Sequence, residues 1–442
     1  MSSIFELGRE MSSLLSDMRG DLRLAWRSEP GQRAFVLSLL FVFAASAAFF
    51  LLRMEYVLGH PSIDMCLMGS DSKIYVGELT APFSKSLYGL LKFHGVRRHP
   101  ALVFVAIGLV LPLHLAGLSA LQAAIAALAL LIGVGASALF VFFRRNGCGN
   151  GLAMTGAALS LAMFSPLTVL SAIDVYGFVY ASACLCLLLC TEIARHASRF
   201  PRASAWAAGL VAGAIAWANL PLASYILFYS GPVWLREPWR RRSPLPLILP
   251  PLLAIAIGIV PLALGDLLVG HLVQGIDKWA SFGHFTNGQV LANYPVAALL
   301  ASIANPLGVV RNIYGASDYA GIWSAIPQLP ALVTVWALAL FAAWRLGRSA
   351  QGVAILAAAL VIAASLLIFY IYFDPWEATL FATQWCLLIA VVVVLGVRNL
   401  RIAPLLVGAA VILLLTVNVT AIYFPEGVTC QPTQFLPDDV NS

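Results

Sequence analysis

The chain has 442 residues, of which 61% are hydrophobic and only 10% charged. That balance excludes a soluble fold, and the long unbroken apolar runs exclude a β-barrel, which would show short alternating segments. The net charge of +6 implies no nucleic-acid partner, because basic residues in such a chain mainly set topology. The class expected is therefore an all-α polytopic membrane protein.

Residues 1–33 carry five arginines and read as a cytoplasmic amphipathic segment. The first apolar run, 34–52, is too long for a signal-peptide core and lacks a cleavage site followed by soluble sequence. It reads as a retained first span. Arginine clusters then recur at short turns, at 144–145, 195–202, 236–242, 345–348 and 398–401. Placing them all in the cytoplasm with the N-terminus follows the positive-inside rule. Eighteen of the 26 Lys and Arg then lie on that side, and none of the eighteen is a lysine.

This assignment forces parity. The stretch 100–143 must cross an odd number of times, so 100–117 reads as an interfacial or partly re-entrant helix and 118–143 as a span. The chain must go out and back between 147 and 195, turning near Asp174, and again between 202 and 236. The only break in the second interval is "ANLPL", at Asn219 and Pro221. Each arm there has about 15 residues, roughly 22 Å of helix against a core of roughly 30 Å. A short hairpin with its polar break beneath the outer surface implies a cavity, since unpaired backbone at that depth must face water or protein. The alternative is one kinked span, which would put "WRRR" on the other side. The hairpin gives about 11 spans, the N-terminus inside and the C-terminus outside. The domains are then 1–33, a transmembrane domain 34–423 with long outer loops 53–99 and 267–328 carrying short interfacial helices, and an outer tail 424–442.

Thirteen of the 20 acids fall outside. Asp71, Asp174, Asp374 and Glu377 lie at or beside the outer ends of apolar segments, where ionisable groups are costly. Asp174 also fits as a helix cap. Asp374-Pro375 fits N-cap and N1 of the next helix, with Glu377 completing its first turn. Asp71, in a loop after Gly and Ser, is harder to explain as a cap. No Walker A, GxSxG, HExxH or CxxC is present. The histidines are scattered, so no metal site is expected. Cys184, Cys186 and Cys190 read as packing residues of one span.

A lipid-phosphate donor needs cations to hold the phosphate as it becomes a leaving group. Arg97, Arg98 and His99 stand at the outer margin, where a lipid phosphate lies; headgroup anchoring of the loop is the competing reading. Lys278, His284 and Arg311 are further candidates in the second loop. The aromatic residues of 279–323 would stack on sugar rings or form an interfacial belt. With this topology only Cys66 and Cys430 lie outside, in an oxidising compartment. A disulfide between them is expected, stapling the tail onto the loop of Asp71.

Five pieces together resemble the GT-C superfamily of integral-membrane glycosyltransferases. They are "GSDSKIY" (69–75), "RRHPALVF" (97–104), "DVYGFVYAS" (174–182), "AGAIAWANLPL" (212–222) and "FDPWEATLF" (373–381). The likeness covers most of 34–423, as architecture more than as sequence, and is nearest to the arabinofuranosyltransferases of bacterial type IV pilins. It implies transfer of a sugar from a polyprenyl-phosphate donor to a periplasmic protein, such as pilin, or to a glycan, at the periplasmic face of the inner membrane. It implies Asp71 as general base. The adjacent acidic pair of several branches is missing, which leaves Asp64 and Glu78 as rivals. Lys278 and Arg311 would join Arg97, Arg98 and His99 on the donor phosphate. Tyr75, His94, Asp174, Tyr176, Asn219, His284, Asp374 and Glu377 would contact substrates. The resemblance identifies no cofactor and leaves a divalent cation open. The rival class is a secondary transporter or flippase, which would show polar residues mid-membrane and a repeat between halves. No repeat is found and the span interiors are almost free of charge.

Overall fold

A computed structural model describes residues 2–28, 32–58, 79, 101–171, 175–236, 245–269, 329–373 and 383–423. All regular structure among them is helical. In chain order the helices are α1 (Ser2–Ser28), α2 (Gln32–Leu58), α3 (Leu102–Leu115), α4 (Ala120–Arg145), α5 (Asn150–Ala162), α6 (Phe164–Val169) and α7 (Tyr176–His196). Then come α8 (Pro201–Ala216), a 3-10 stretch (Leu220–Ile226), α9 (Leu227–Arg236), α10 (Leu245–Val269), α11 (Leu329–Leu346), α12 (Ala350–Phe373), α13 (Thr383–Val397) and α14 (Ala403–Tyr423).

Five helices are long and apolar enough to cross a membrane: Gln32–Tyr56, Ala120–Arg145, Tyr176–His196, Leu329–Leu346 and Ala350–Ile368. Leu220–Leu235, Ile248–Val260, Thr383–Val397 and Ala403–Asn418 are shorter apolar helices. A helix is what an apolar run must form in lipid, because it satisfies every backbone group within the segment. The outward faces stay apolar as well. Leu37, Leu40, Phe41 and Leu52 of α2 and Leu360, Val361 and Ile368 of α12 are all more than half exposed.

Local chemistry sets the helix ends. Ser119 and Gln122 form a reciprocal capping box at the start of α4. Gly147 follows its end at φ +84, a left-handed turn that only glycine adopts freely. The end of α4 meets the end of α7 through an ion-pair cluster. Arg145 donates from Nε and Nη2 to both oxygens of Glu192 at 3.0 and 2.6 Å. Arg195 Nε lies 3.2 Å from the same carboxylate. Arg195 Nη2 donates to the Arg145 carbonyl at 2.6 Å, and Arg398, just past α13, donates to the Asn146 carbonyl at 3.2 Å. Helix α1 docks on the same end. Its Asp17 pairs with Arg199, its Glu10 accepts from the Ala203 N–H at 3.3 Å, and its Leu14 is fully buried. The turns at 144–147, 195–202 and 398–401 therefore share one end of the bundle with the N-terminal segment, as the charge pattern asks.

The direction of α8 and α10 decides the hairpin question. A Cβ built on Gly209 would sit 2.9 Å from Leu253, and one on Gly213 would sit 2.6 Å from Ile257. The two sequences advance together, so α8 and α10 run parallel and the chain must return between them. It reverses at Trp217–Asn219, and α9 brings Phe228 and Pro232 back beside Arg145 and Arg195. Helix α3 starts on Trp217 and ends at Gly117, φ +104, turning straight into α4. Both of its ends therefore lie at the end opposite the arginines, as an interfacial helix requires.

One boundary is corrected. The first outer loop was placed from residue 53, but α2 continues to Leu58. Arg53 is 2% exposed and donates from Nε to Ser171 Oγ at 3.2 Å, so it belongs to the packed bundle. Residues 270–328 and 424–442, which hold nearly all of the second outer loop and the whole tail, lie outside the described residues.

Candidate functional site

The end opposite the arginine turns is tied together by residues that flank the singled-out segments. The Ala101 N–H, immediately after Arg97-Arg98-His99-Pro100, donates to the Trp217 carbonyl at 3.1 Å. The Phe104 and Trp217 rings stack at 6.5 Å and 16°. Trp217 is itself fixed by its Nε1–H, which donates to the Ile257 carbonyl at 2.8 Å. Two residues on, Asn219 is extended and 8% exposed, and its carbonyl accepts from the Leu222 N–H at 2.9 Å to open the 3-10 stretch. Pro221 lacks an N–H, so the break needs one backbone partner fewer.

The 3-10 stretch carries the network on. Tyr225 OH donates to the Gln384 carbonyl at 3.2 Å, and Ser165 and Thr383 share a hydrogen bond of 3.0 Å. Residues 383 and 384 begin α13, separated by one residue from the end of "FDPWEATLF" (373–381). Helix α6 holds Ser165, and the turn that follows it holds Ser171, the partner of Arg53. These contacts link the end of α2, the start of α3, the helix break, the exit of α6 and the start of α13. The linking side chains are hydroxyl, indole and guanidinium groups, costly to bury without hydrogen bonds. Trp385, 6% exposed, keeps an indole N–H with no acceptor among the described residues. It lies two residues from Thr383 and can donate to a ligand.

Of the residues singled out in the sequence, Tyr176 and Asn219 are placed here, both buried, with Tyr176 opening α7. The N-cap position of α7 falls at Val175, one residue past the Asp174 expected there. Asp71, Tyr75, His94, Arg97, Arg98, His99, Asp174, Lys278, His284, Arg311, Asp374, Glu377 and the cysteines Cys66 and Cys430 lie outside the described residues. Arg53, Ser171, Trp217, Tyr225, Gln384 and Trp385 were not singled out. The one signal for Arg53 was its place at the end of an apolar run. Among the described residues no group of three or more His, Cys, Asp or Glu is placed to hold a metal ion.

The described cysteines are chemically quiet. Cys184, Cys186, Cys190 and Cys386 are buried in α7 and α13 with free thiols. Cys148, in the turn after α4, is pushed up to about 11 by burial, only partly offset by the Arg398 and Arg144 guanidiniums. A nucleophilic cysteine needs the opposite shift. The thiolate fraction at pH 8 is then roughly one in a thousand. Cys148 is expected to stay unlabelled by maleimide at pH 8 in the folded protein and to react readily once denatured, read by peptide mass spectrometry. Labelling at the rate of an exposed thiol would contradict the burial.

No protein-family model matches the chain, and no curated protein matches it.

Proposed function

We propose that the protein is a GT-C-type membrane glycosyltransferase, moving a sugar from a polyprenyl-phosphate donor to a periplasmic protein or glycan acceptor. One observation carries the reading. The Ala101–Trp217 hydrogen bond attaches the chain leaving the Arg-Arg-His-Pro element to the helix break at Asn219. Helix α8 has 16 residues, about 24 Å against a core of about 30 Å. The break therefore lies beneath the surface, where backbone must face protein or a wet cavity. The chain leaving "FDPWEATLF" is held on the same network through Thr383 and Gln384.

In this reading α5, α8 and the four shorter apolar helices named above cross the bilayer with the five long ones, for about eleven passes. The arginine turns and α1 lie in the cytoplasm of a bacterial inner membrane, and the network above faces the periplasm. The bond from the anomeric carbon to the donor phosphate oxygen breaks and a bond to the acceptor oxygen forms. Arg97, Arg98 and His99, with Lys278 and Arg311, neutralise the leaving polyprenyl phosphate. Asp71 takes the proton of the acceptor hydroxyl. Tyr75, His94, Asp174, Tyr176, Asn219, His284, Asp374 and Glu377 orient the sugars. The finer reading is arabinofuranose as the sugar and a pilin as the acceptor.

The test is purified protein in lipid nanodiscs with a polyprenyl-phosphate pentose and an acceptor peptide. A pentose mass gain on the peptide with release of polyprenyl phosphate is expected. If no polyprenyl-phosphate sugar yields product, while proteoliposomes move the labelled donor between leaflets, the protein is a flippase.

A further inference from the structure

At the arginine end, a cavity of about 260 Å³ opens between α4, α7, α9 and α12. Its lining includes three guanidiniums, of Arg145, Arg195 and Arg398, and the apolar side chains of Phe142, Phe228 and Ile355. The transfer reaction above uses none of these residues. Two of these guanidiniums, of Arg145 and Arg195, share one carboxylate, Glu192, which Arg145 already binds through both oxygens, and Arg398 is paired with no acid among the described residues. The acids that α1 brings to this end are engaged elsewhere: Asp17 pairs with Arg199, Glu10 accepts from the Ala203 N–H, and Asp21, with a half-exposed side chain, lies 3.5 Å from His196. The wall therefore carries a surplus of positive charge.

Helix capping explains part of this arrangement but not all of it. Arg195 and Arg398 each donate to a carbonyl at the end of α4, and those bonds complement the helix dipole. Capping needs only one donor from each side chain, and a guanidinium has five. Among the described residues, the bond to Asn146 is the one hydrogen bond of Arg398. The same bonds hold the guanidiniums in place before any ligand arrives, which lowers the ordering cost of binding. Planar guanidinium forks match phosphate oxygens in geometry as well as charge. The apolar lining residues suit the glycerol and first methylenes of an amphiphile rather than a small hydrated anion. The cavity sits where α4 and α7 end; with these helices crossing the bilayer that is the level of lipid headgroups, where basic clefts between helices recruit anionic lipids.

We propose that this cavity binds a phosphate ester, that of an anionic phospholipid headgroup in the leaflet on the arginine side. The inference does not depend on the glycosyltransferase reading, and its test does not use transfer activity.

The test is thermal unfolding of the full chain in neutral detergent, titrated with phosphatidylglycerol or with phosphatidylcholine. Phosphatidylglycerol is expected to raise Tm and phosphatidylcholine not to. R398Q should weaken the phosphatidylglycerol response about tenfold in concentration. R345Q, at the same end but off the cavity wall, should leave it unchanged. R398K, which keeps the charge, should lose less than R398Q and serves if R398Q folds poorly. Glycerol phosphate is the second arm. If it gives the same R398Q-sensitive shift at equal or lower concentration, the phosphate site stands and its ligand is soluble, which overturns the lipid source. Equal responses to the two lipids, or an undiminished response in R398Q, would overturn the site itself.

Discussion

Asp71→Asn is expected to cut sugar transfer by roughly 100- to 10,000-fold, the contribution of a positioned general base, while leaving Tm and helical content unchanged. The substitution keeps size and removes only the ability to take a proton, so a loss of activity without a loss of fold isolates the chemistry. Acceptor glycosylation at saturating donor and circular dichroism on the same preparation provide both readouts. Asp64→Asn and Glu78→Gln, the rival acids of the loop, should retain activity within a few-fold. If Glu78→Gln shows the large loss and Asp71→Asn does not, the base is Glu78. If all three stay active, the acid of the first loop is not the base.

Glu192→Gln should be the most damaging single change at the opposite end. The residue is 6% exposed and neutralises two guanidiniums that hold α4 to α7. Removing one partner of a buried pair typically costs 3–5 kcal/mol, because the remaining charge stays buried without compensation. Here about 3 kcal/mol is expected, since the Arg145 and Arg195 side chains keep 19% and 31% exposure and water screens part of the repulsion. The check is Tm in detergent, with Arg145→Gln and the double variant closing a cycle. The double variant should lose clearly less than the two single losses combined, because it no longer strands Arg145. An unchanged Tm in Glu192→Gln would mean that capping of the α4 carbonyls, and not the ion pair, joins these helices.

The class of fold was legible in the sequence because it follows from local quantities. Run length and apolarity force helices wherever backbone must be satisfied without water. The "ANLPL" signal located the reversal at Asn219, since proline and a polar residue interrupt an apolar run in a way visible over five residues. The arginine turns were legible for the same reason, each lying within a few residues of a helix end. The candidate site was legible as motifs in chain segments. Their roles rest on residue chemistry, with Asn219 and Tyr176 as the two members that the described structure places.

By itself, the sequence determined that the chain is helical, with runs long and apolar enough to cross a membrane, and where its arginine turns fall. Only the tertiary structure decided that Arg53 is packed against Ser171 rather than starting a loop, across 118 residues. It also decided that Glu192 joins Arg145 across 47 residues, and that α8 and α10 run parallel so that α9 must return between them. The physical reason is the range of the interactions. A helix is satisfied within four residues of itself, whereas a buried charge or a close helix contact depends on a partner that the chain supplies from far along its length.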